Sequence, residues 1–138
     1  MADLYEAIKA IFDADAALAG ASGAFDELHA GEVGDPAAVP APYCTVVTPE
    51  ESTEEGTFGG RRFVAETFAF QVVAATLEDA RDKAELVNAV FDDDDLVVAA
   101  DGIGSVRLEK GSQRSEQADE DRWVVTIDYR AMYWRTRP

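Results

Sequence analysis

Residues 62–91, which read RFVAETFAFQVVAATLEDARDKAELVNAVF, contain the two clearest secondary-structure patterns in the chain. Residues 62–74 alternate with a period of two, which is typical of a strand, and one face of this strand carries Val64, Phe68, Phe70 and Val72. Residues 77–91 carry apolar side chains at helical spacing, namely Leu77, Ala80, Ala84, Val87 and Phe91. Thr76 is a favourable N-cap for this helix. A long strand followed directly by an amphipathic helix predicts a helix packed against a sheet.

The segments before this pair predict another helix and two short strands. Residues 3–12 have helical spacing, with apolar residues at Leu4, Ile8, Ile11 and Phe12. Residues 13–18 then predict a second, shorter turn, because Asp13 and Asp15 are suitable caps. The predicted strands are residues 25–31 and 43–48. Residues 33–42 contain three prolines and no periodicity, so they predict a loop between these strands.

The remaining segments predict two further strands and two exposed connections. Residues 49–60 are acidic and end in two glycines, which indicates a long exposed loop. Residues 103–110 predict a strand, and the polar residues 111–121 predict a second exposed connection. Residues 122–134 predict the last strand. The whole pattern predicts a single domain, residues 1–138, with an α+β fold in which a mainly antiparallel sheet packs against two helices.

The last strand indicates a second buried surface. Its better core face carries Trp123, Val125, Ile127, Tyr129, Ala131 and Tyr133. The opposite face is charged in the middle but ends in Met132 and Trp134. Apolar side chains at the tip of a nominally outer face predict a contact with another subunit.

The charge of the chain limits the classes of function. Its 138 residues include 28 acidic and 12 basic residues, which gives a formal charge of -16. Binding to a phosphate backbone needs a dense Lys and Arg surface, so this composition argues against it as the main function. The acid excess fits a halophilic source, where salt screens the repulsion, or simply an acidic surface. No apolar run approaches the length that spans a bilayer, so no membrane partner is expected.

Motifs that carry catalytic or metal chemistry are not found. His29 is the only histidine and Cys44 the only cysteine, so neither a structural zinc site nor an intrachain disulfide can form from them. Cys44 lies in an apolar run and is predicted to be a buried core thiol, and Ser22 has no nucleophile-elbow pattern around it. Residues 56–60 lack the Lys-Ser/Thr ending of a phosphate-binding loop. The sequence therefore predicts a protein that is not an enzyme, with no cofactor.

Four acids in a row could suggest a divalent-cation site: Asp92, Asp93, Asp94 and Asp95. Consecutive carboxylates do not converge on one point as those of a spaced calcium loop do. The favoured interpretation is therefore a solvated turn that ends the preceding helix, and no metal site is predicted.

Taken in order, four segments resemble one family. They are the opening helix with its Asp15-Ala16-Ala17-Leu18 ending, the proline-rich loop entering Pro42 to Val47, the strand and helix of residues 63–91, and the closing pair that runs from Gly104 to Leu108 and then to Trp134. Together they cover most of the chain and resemble the tail-terminator, or tail-completion, proteins of long-tailed bacterial and archaeal viruses and gene-transfer agents. The resemblance depends on the order of the four segments along the chain.

The resemblance implies a structural virion protein and carries over no catalytic residue. Proteins of this family form a ring, usually hexameric, that caps the finished tail tube, ends tube polymerisation and joins the tail to the head. The implied partners are further copies of the chain, the tail-tube protein and the head–tail connector protein, with DNA passing through the hole without specific binding. The implied location is the tail or neck of a virion assembled in the host cytoplasm.

Two sets of residues are predicted to serve such a ring. The subunit contacts are expected at an aromatic and two arginines of the 49–62 segment and at the tip of the last strand, namely Phe58, Arg61, Arg62, Met132 and Trp134. An acidic lumen would repel passing DNA, and its expected residues are Glu50, Glu51, Glu54, Glu55, then Asp92 to Asp95, then the acids of residues 116–121.

Two other interpretations stay open. A tail-tube or head–tail connector subunit would also form rings, but a tube protein stacks its own rings. In a different class, an acidic regulatory protein that mimics DNA would be monomeric or dimeric and would bind basic proteins.

Overall fold

The structure, a computed structural model, describes residues 4–20, 23–25, 27–30, 42–47, 53–58, 61–92 and 106–136. The predicted loop at residues 33–41 lies outside these ranges. So do Asp93, Asp94 and Asp95, and the beginning of the strand predicted at residue 103.

Two helices pack against a mainly antiparallel sheet, which confirms the predicted α+β fold. The helices are α1, Leu4–Ala14, and α2, Leu77–Phe91. The strands are β1, Leu28–Ala30; β2, Tyr43–Val47; β3, Thr53–Phe58; β4, Arg61–Ala74; β5, Arg107–Asp119; and β6, Arg122–Thr136. The strand order is β1-β2-β4-β6-β5, and β3 pairs with the part of β4 that β2 leaves free. Only β1 and β2 run parallel among the described pairs.

Helix α2 forms where the sequence predicts it. The Thr76 side chain accepts a hydrogen bond from the backbone N–H of Asp79 at 3.1 Å, which satisfies one of the free donors of the first turn. Its buried residues are Ala80, Ala84, Val87 and Phe91. Asp79 and Lys83 form an ion pair one helical turn apart. The helix ends at Asp92, whose N–H donates to the carbonyl of Asn88.

The short turn after α1 is also confirmed. The Asp15 carboxylate accepts a hydrogen bond from the backbone N–H of Ala17 at 2.9 Å, as a local cap does. The turn ends at Gly20, whose φ of 95° lies in the left-handed region that favours glycine. Leu18 and Phe25 then enter the core beneath α1.

An aromatic cluster forms the centre of the core, between the sheet and the two helices. The ring of Phe70 lies 4.7 Å from that of Phe91, 5.5 Å from Phe68 and 5.6 Å from Tyr129. The ring of Phe12 on α1 lies 6.5 Å from that of Phe91 and so joins the first helix to the second. Aromatic pairs at these distances contribute about 0.5–1.5 kcal/mol each beyond the area that they bury.

Two predicted connections are strands instead. Residues 53–58, expected within a loop, form β3 and pair antiparallel with residues 61–65 of β4. Residues 111–119, expected to be an exposed connection, continue β5 and pair with β6. Both segments are polar, and a strand at a sheet edge is held by backbone hydrogen bonds to one neighbour, so it needs no alternating apolar face. The period-two test therefore misses them.

Candidate functional site

The residues predicted for subunit contacts come together at one end of the sheet. The backbone register places Phe58 opposite Arg61 and Phe63 opposite Trp134. Arg62 is next to this pair on β4, and Met132 is opposite Ala65, two positions further in. The β3, β4 and β6 pairing therefore gathers all five predicted residues within a few strand positions, although they come from distant parts of the sequence.

Trp134 marks this end of the sheet as a surface with apolar character. Its residue surface is 40% exposed, and Leu86 on α2 is the other large apolar residue in the described chain that is exposed to this extent. Met132 on the same strand face is half-buried. The adjacent residues Ala131 and Tyr133 face the core, so Trp134 and Met132 belong to the sheet face opposite the helices.

The described residues of the three predicted acidic clusters lie at separate places. Glu54 on β3 is opposite Val64, near the Trp134 end of the sheet. Glu116 on β5 is opposite Val124, which is itself opposite Val73. Positions 64 and 73 of one strand are about 30 Å apart at 3.3 Å per residue. Glu55 lies beside Glu54 in β3, whereas Glu50 and Glu51 lie outside the described residues.

Asp92, the one described residue of the second acidic cluster, borders a cleft between α2 and β5. The cleft has a volume of about 460 Å³ and is lined by Glu85, Asn88, Ala89, Asp92, Lys110 and Gln113. Asp92 is exposed at the C-cap of α2. The cleft exists because α2 covers the inner face of β4 and β6 but leaves that of β5 open.

Asn88 ties α2 to both strands of the β5–β6 hairpin. Its Nδ2 donates to Oε1 of Gln113 at 3.0 Å, and its Oδ1 accepts from the hydroxyl of Tyr129 at 2.7 Å. Burial raises the pKa of Tyr129 above its usual range, and the negative charge of Asp92 raises it further. The sequence does not predict this link between α2 and the hairpin. The one signal for it is Asn88, a polar residue directly beside the apolar stripe of α2.

A second polar cluster holds the bulge of β5. The register of β5 shifts between Lys110 and Gln113. One carboxylate oxygen of Asp128 accepts from the hydroxyl of Ser112 at 2.6 Å and from Nη1 of Arg114 at 3.0 Å. Gly111 fits here because a Cβ at this position would lie 3.3 Å from the backbone oxygen of Asp128, closer than ordinary contact.

The two described residues that were considered for catalysis, Cys44 and His29, lie on strands of the sheet. Cys44 is fully buried in the core, as predicted, and burial raises the pKa of its thiol well above the usual range. His29 lies half-buried on β1, opposite Thr45 of β2. Ser22 lies outside the described residues. Within the described ranges, no group of three or more His, Cys, Asp or Glu side chains is arranged to hold a metal ion.

The charge of the chain is unevenly distributed. Residues 106–138, which include the β5–β6 hairpin, contain seven basic and six acidic residues and so are close to neutral. Residues 1–105 contain five basic and 22 acidic residues. In the described part of the chain, no helix is long and apolar enough to cross a membrane.

Comparison with known proteins gives a likeness of fold. No protein-family model and no curated protein matches the chain by sequence. Among solved structures, a chain from the virion of a native gene transfer agent particle matches with a TM-score of 0.63 and 20% identity, over 92% of this chain and 91% of that chain.

A second solved protein, known only by a sequence identifier, matches with a TM-score of 0.53 and 19% identity, over 80% of each chain. The chain therefore shares its fold with a component of a virus-like particle.

Proposed function

We propose that this chain is a structural virion subunit that forms a ring, caps the tail tube and joins it to the head–tail connector. The observation that carries the proposal is the shared fold with a chain of a gene transfer agent virion, which extends over nearly the whole length of both chains. The order of the four family-like segments in the sequence supports the same conclusion. On this proposal, residues 1–138 act as one tail-terminator-like domain.

The end of the sheet that contains Trp134 supports a role in assembly. An exposed indole beside arginine positions is typical of the residues that anchor protein interfaces. The proposed contact residues are therefore the same five, Phe58, Arg61, Arg62, Met132 and Trp134. Trp134→Ala is expected to weaken assembly strongly and to lower the melting temperature of the monomer only slightly. A partly exposed side chain contributes little to the monomer core.

The first experiment measures the mass and shape of the purified chain. Native mass spectrometry and negative-stain microscopy are expected to show a closed ring, usually hexameric in this family. Adding the ring to its polymerising tail-tube protein is then expected to end tube growth. A chain that stacks its own rings into tubes would instead be a tube subunit. A monomer or dimer that captures basic DNA-binding proteins would be an acidic DNA mimic.

The acidic charge is proposed to line the passage for DNA. Because the three clusters are separate in the sequence, they can be reversed to lysine one at a time. Reversal of the cluster that faces the hole is expected to slow DNA ejection, and the slowing should weaken as salt rises. If rings form and ejection at low salt is unchanged in all three variants, the acids serve solubility and not passage.

A further inference from the structure

Three strand edges of the sheet carry no partner within the described chain, those of β1, β3 and β5, and the last two border the antiparallel unit β3-β4-β6-β5. β3 pairs only with β4, and β5 pairs only with β6, among the strands that the structure describes. Each therefore presents one row of backbone N–H and C=O groups on its outer side, which is a ready template for another strand. The two edges are on opposite sides of the four-stranded unit β3-β4-β6-β5.

The strand directions allow the sheet of a second copy to continue this unit with antiparallel pairing throughout. Each adjacent pair within it is antiparallel, so β3 and β5 run in opposite directions. When a second copy related by rotation places its β3 beside β5 of the first, the new pair is antiparallel as well. A heterologous contact of this kind, repeated from copy to copy, closes a ring when the rotation permits.

The charge of β3 is opposite to that of the first part of β5, residues 107–114, whereas residues 115–119 contain two acidic residues and no basic residue. Residues 53–58 of β3 contain two acidic residues and no basic residue. Residues 107–114 of β5 contain three basic residues and one acidic residue. Arg114 already pairs with Asp128 at 3.0 Å, so Arg107 and Lys110 supply the charge available to a neighbour.

This local complementarity matters because the whole chain repels its copies. A formal charge of -16 opposes self-association, so a self-contact is favoured where one side is close to neutral or basic. The β5–β6 hairpin is that side, since nearly all of the excess acid lies before residue 106. The charge segregation also favours a contact between unlike surfaces over a symmetric contact between like ones.

We propose that copies of this chain join head to tail by pairing the free edge of β3 with the free edge of β5 of the next copy. The inference rests on the proposed ring and names the contact that builds it. The sheet then runs continuously from one copy to the next. The strand pairing then places the Glu55 position of β3 beside the Arg107 position of the neighbouring β5.

Charge exchange tests this contact. Arg107→Glu alone and Glu55→Arg alone should each abolish the ring in native mass spectrometry, because like charges then face each other across the new strand pair. The two changes combined in one chain should restore the ring. Arg81→Glu is the matched control, because it makes the same change in net charge at an exposed position of α2 and should leave the ring intact.

A disulfide between copies gives a second measurement that does not depend on the charge variants folding well. Cys44 is buried, so cysteines introduced on the two edges are the accessible ones in the described chain. A chain with Glu55→Cys and Arg107→Cys should give a ladder of cross-linked copies after oxidation, and Arg81→Cys with Arg107→Cys should not.

The outcomes separate this inference from the function on which it rests. Rings that persist in both single charge variants, with no cross-linked ladder, would overturn the strand pairing and leave the ring function standing. A wild-type chain that stays a single copy at all concentrations and salt levels would overturn both.

Discussion

Phe70 is the residue on which the core depends most. It is fully buried and its ring contacts those of Phe68, Phe91 and Tyr129. Phe70→Ala is expected to lower the free energy of unfolding by about 3–5 kcal/mol, because it leaves a cavity between sheet and helix. Urea denaturation followed by circular dichroism measures this loss. A change of less than about 1 kcal/mol would contradict the strand register, which places Phe70 opposite Ile127.

Tyr129 makes the stability sensitive to alkaline pH. Its pKa is raised in the folded chain, first by burial and then by Asp92, so the fold favours the neutral phenol. This contribution is fully present below the pKa of an unfolded tyrosine, about 10, and is lost as pH rises through the higher folded pKa. Thermal melting between pH 7 and 11 should therefore show a fall in stability that begins at about pH 8.5, where an unfolded Cys44 thiol titrates, and steepens at about pH 10 as Tyr129 adds to it.

The matched variant for this prediction is Tyr129→Phe. It removes the phenol and its hydrogen bond to Asn88, which costs about 1 kcal/mol near neutral pH. The alkaline fall should then become shallower, since one titrating group is gone. An unchanged slope would show that other groups cause it.

The amino terminus of α2 depends on one side-chain hydrogen bond. Thr76→Ala removes the acceptor for the N–H of Asp79 and should cost about 1 kcal/mol of stability. Thr76→Ser keeps the hydroxyl and serves as the control, with most of the wild-type stability retained. Equal loss in both variants would mean that the methyl group, and not the cap, is responsible.

At the level of elements, the sequence predicted those that bury an apolar face. Helix α2 and strand β4 were found from their periodicity, and Thr76 was found as a cap. Strands β3 and the outer half of β5 were missed, because backbone pairing to a neighbour holds them and their side chains are polar. The same reason explains why the arrangement of the residues in the candidate site could not be predicted. The types of its residues are visible in the sequence, but the register that places Phe58 opposite Arg61 depends on β3 being a strand.

Deletion of residues 51–60 has a different meaning once β3 is a strand. Removing a loop would leave the sheet intact, whereas removing β3 leaves residues 61–65 of β4 without a partner on one side. The deleted chain should still fold, because β4 keeps its full pairing with β6. We expect it to lose ring assembly and to aggregate more readily than wild type in light-scattering measurements.

The whole molecule should become more stable as salt is added. Acidic residues exceed basic ones by 16, and the described ion pairs have at least one partly exposed partner. Screening therefore relieves more repulsion than it removes attraction. Raising NaCl from about 0.02 to 0.5 M, over which the Debye length falls severalfold, should raise the melting temperature by several degrees. A falling melting temperature would show that local ion pairs outweigh the net charge.

The pairing of β4 with β6 has a consequence for how fast the chain folds. β3 with β4, and β5 with β6, are neighbours along the chain and close short loops. The central pair instead joins residues 49 positions apart at Ala74 and Trp123, and 75 positions apart at Arg61 and Thr136. Non-local contacts of this kind slow folding, because the loop entropy is lost before the contacts form. Stopped-flow refolding should therefore show one slow step, in which the β3–β4 hairpin pairs with the β5–β6 hairpin. Phe70→Ala should make this step slower.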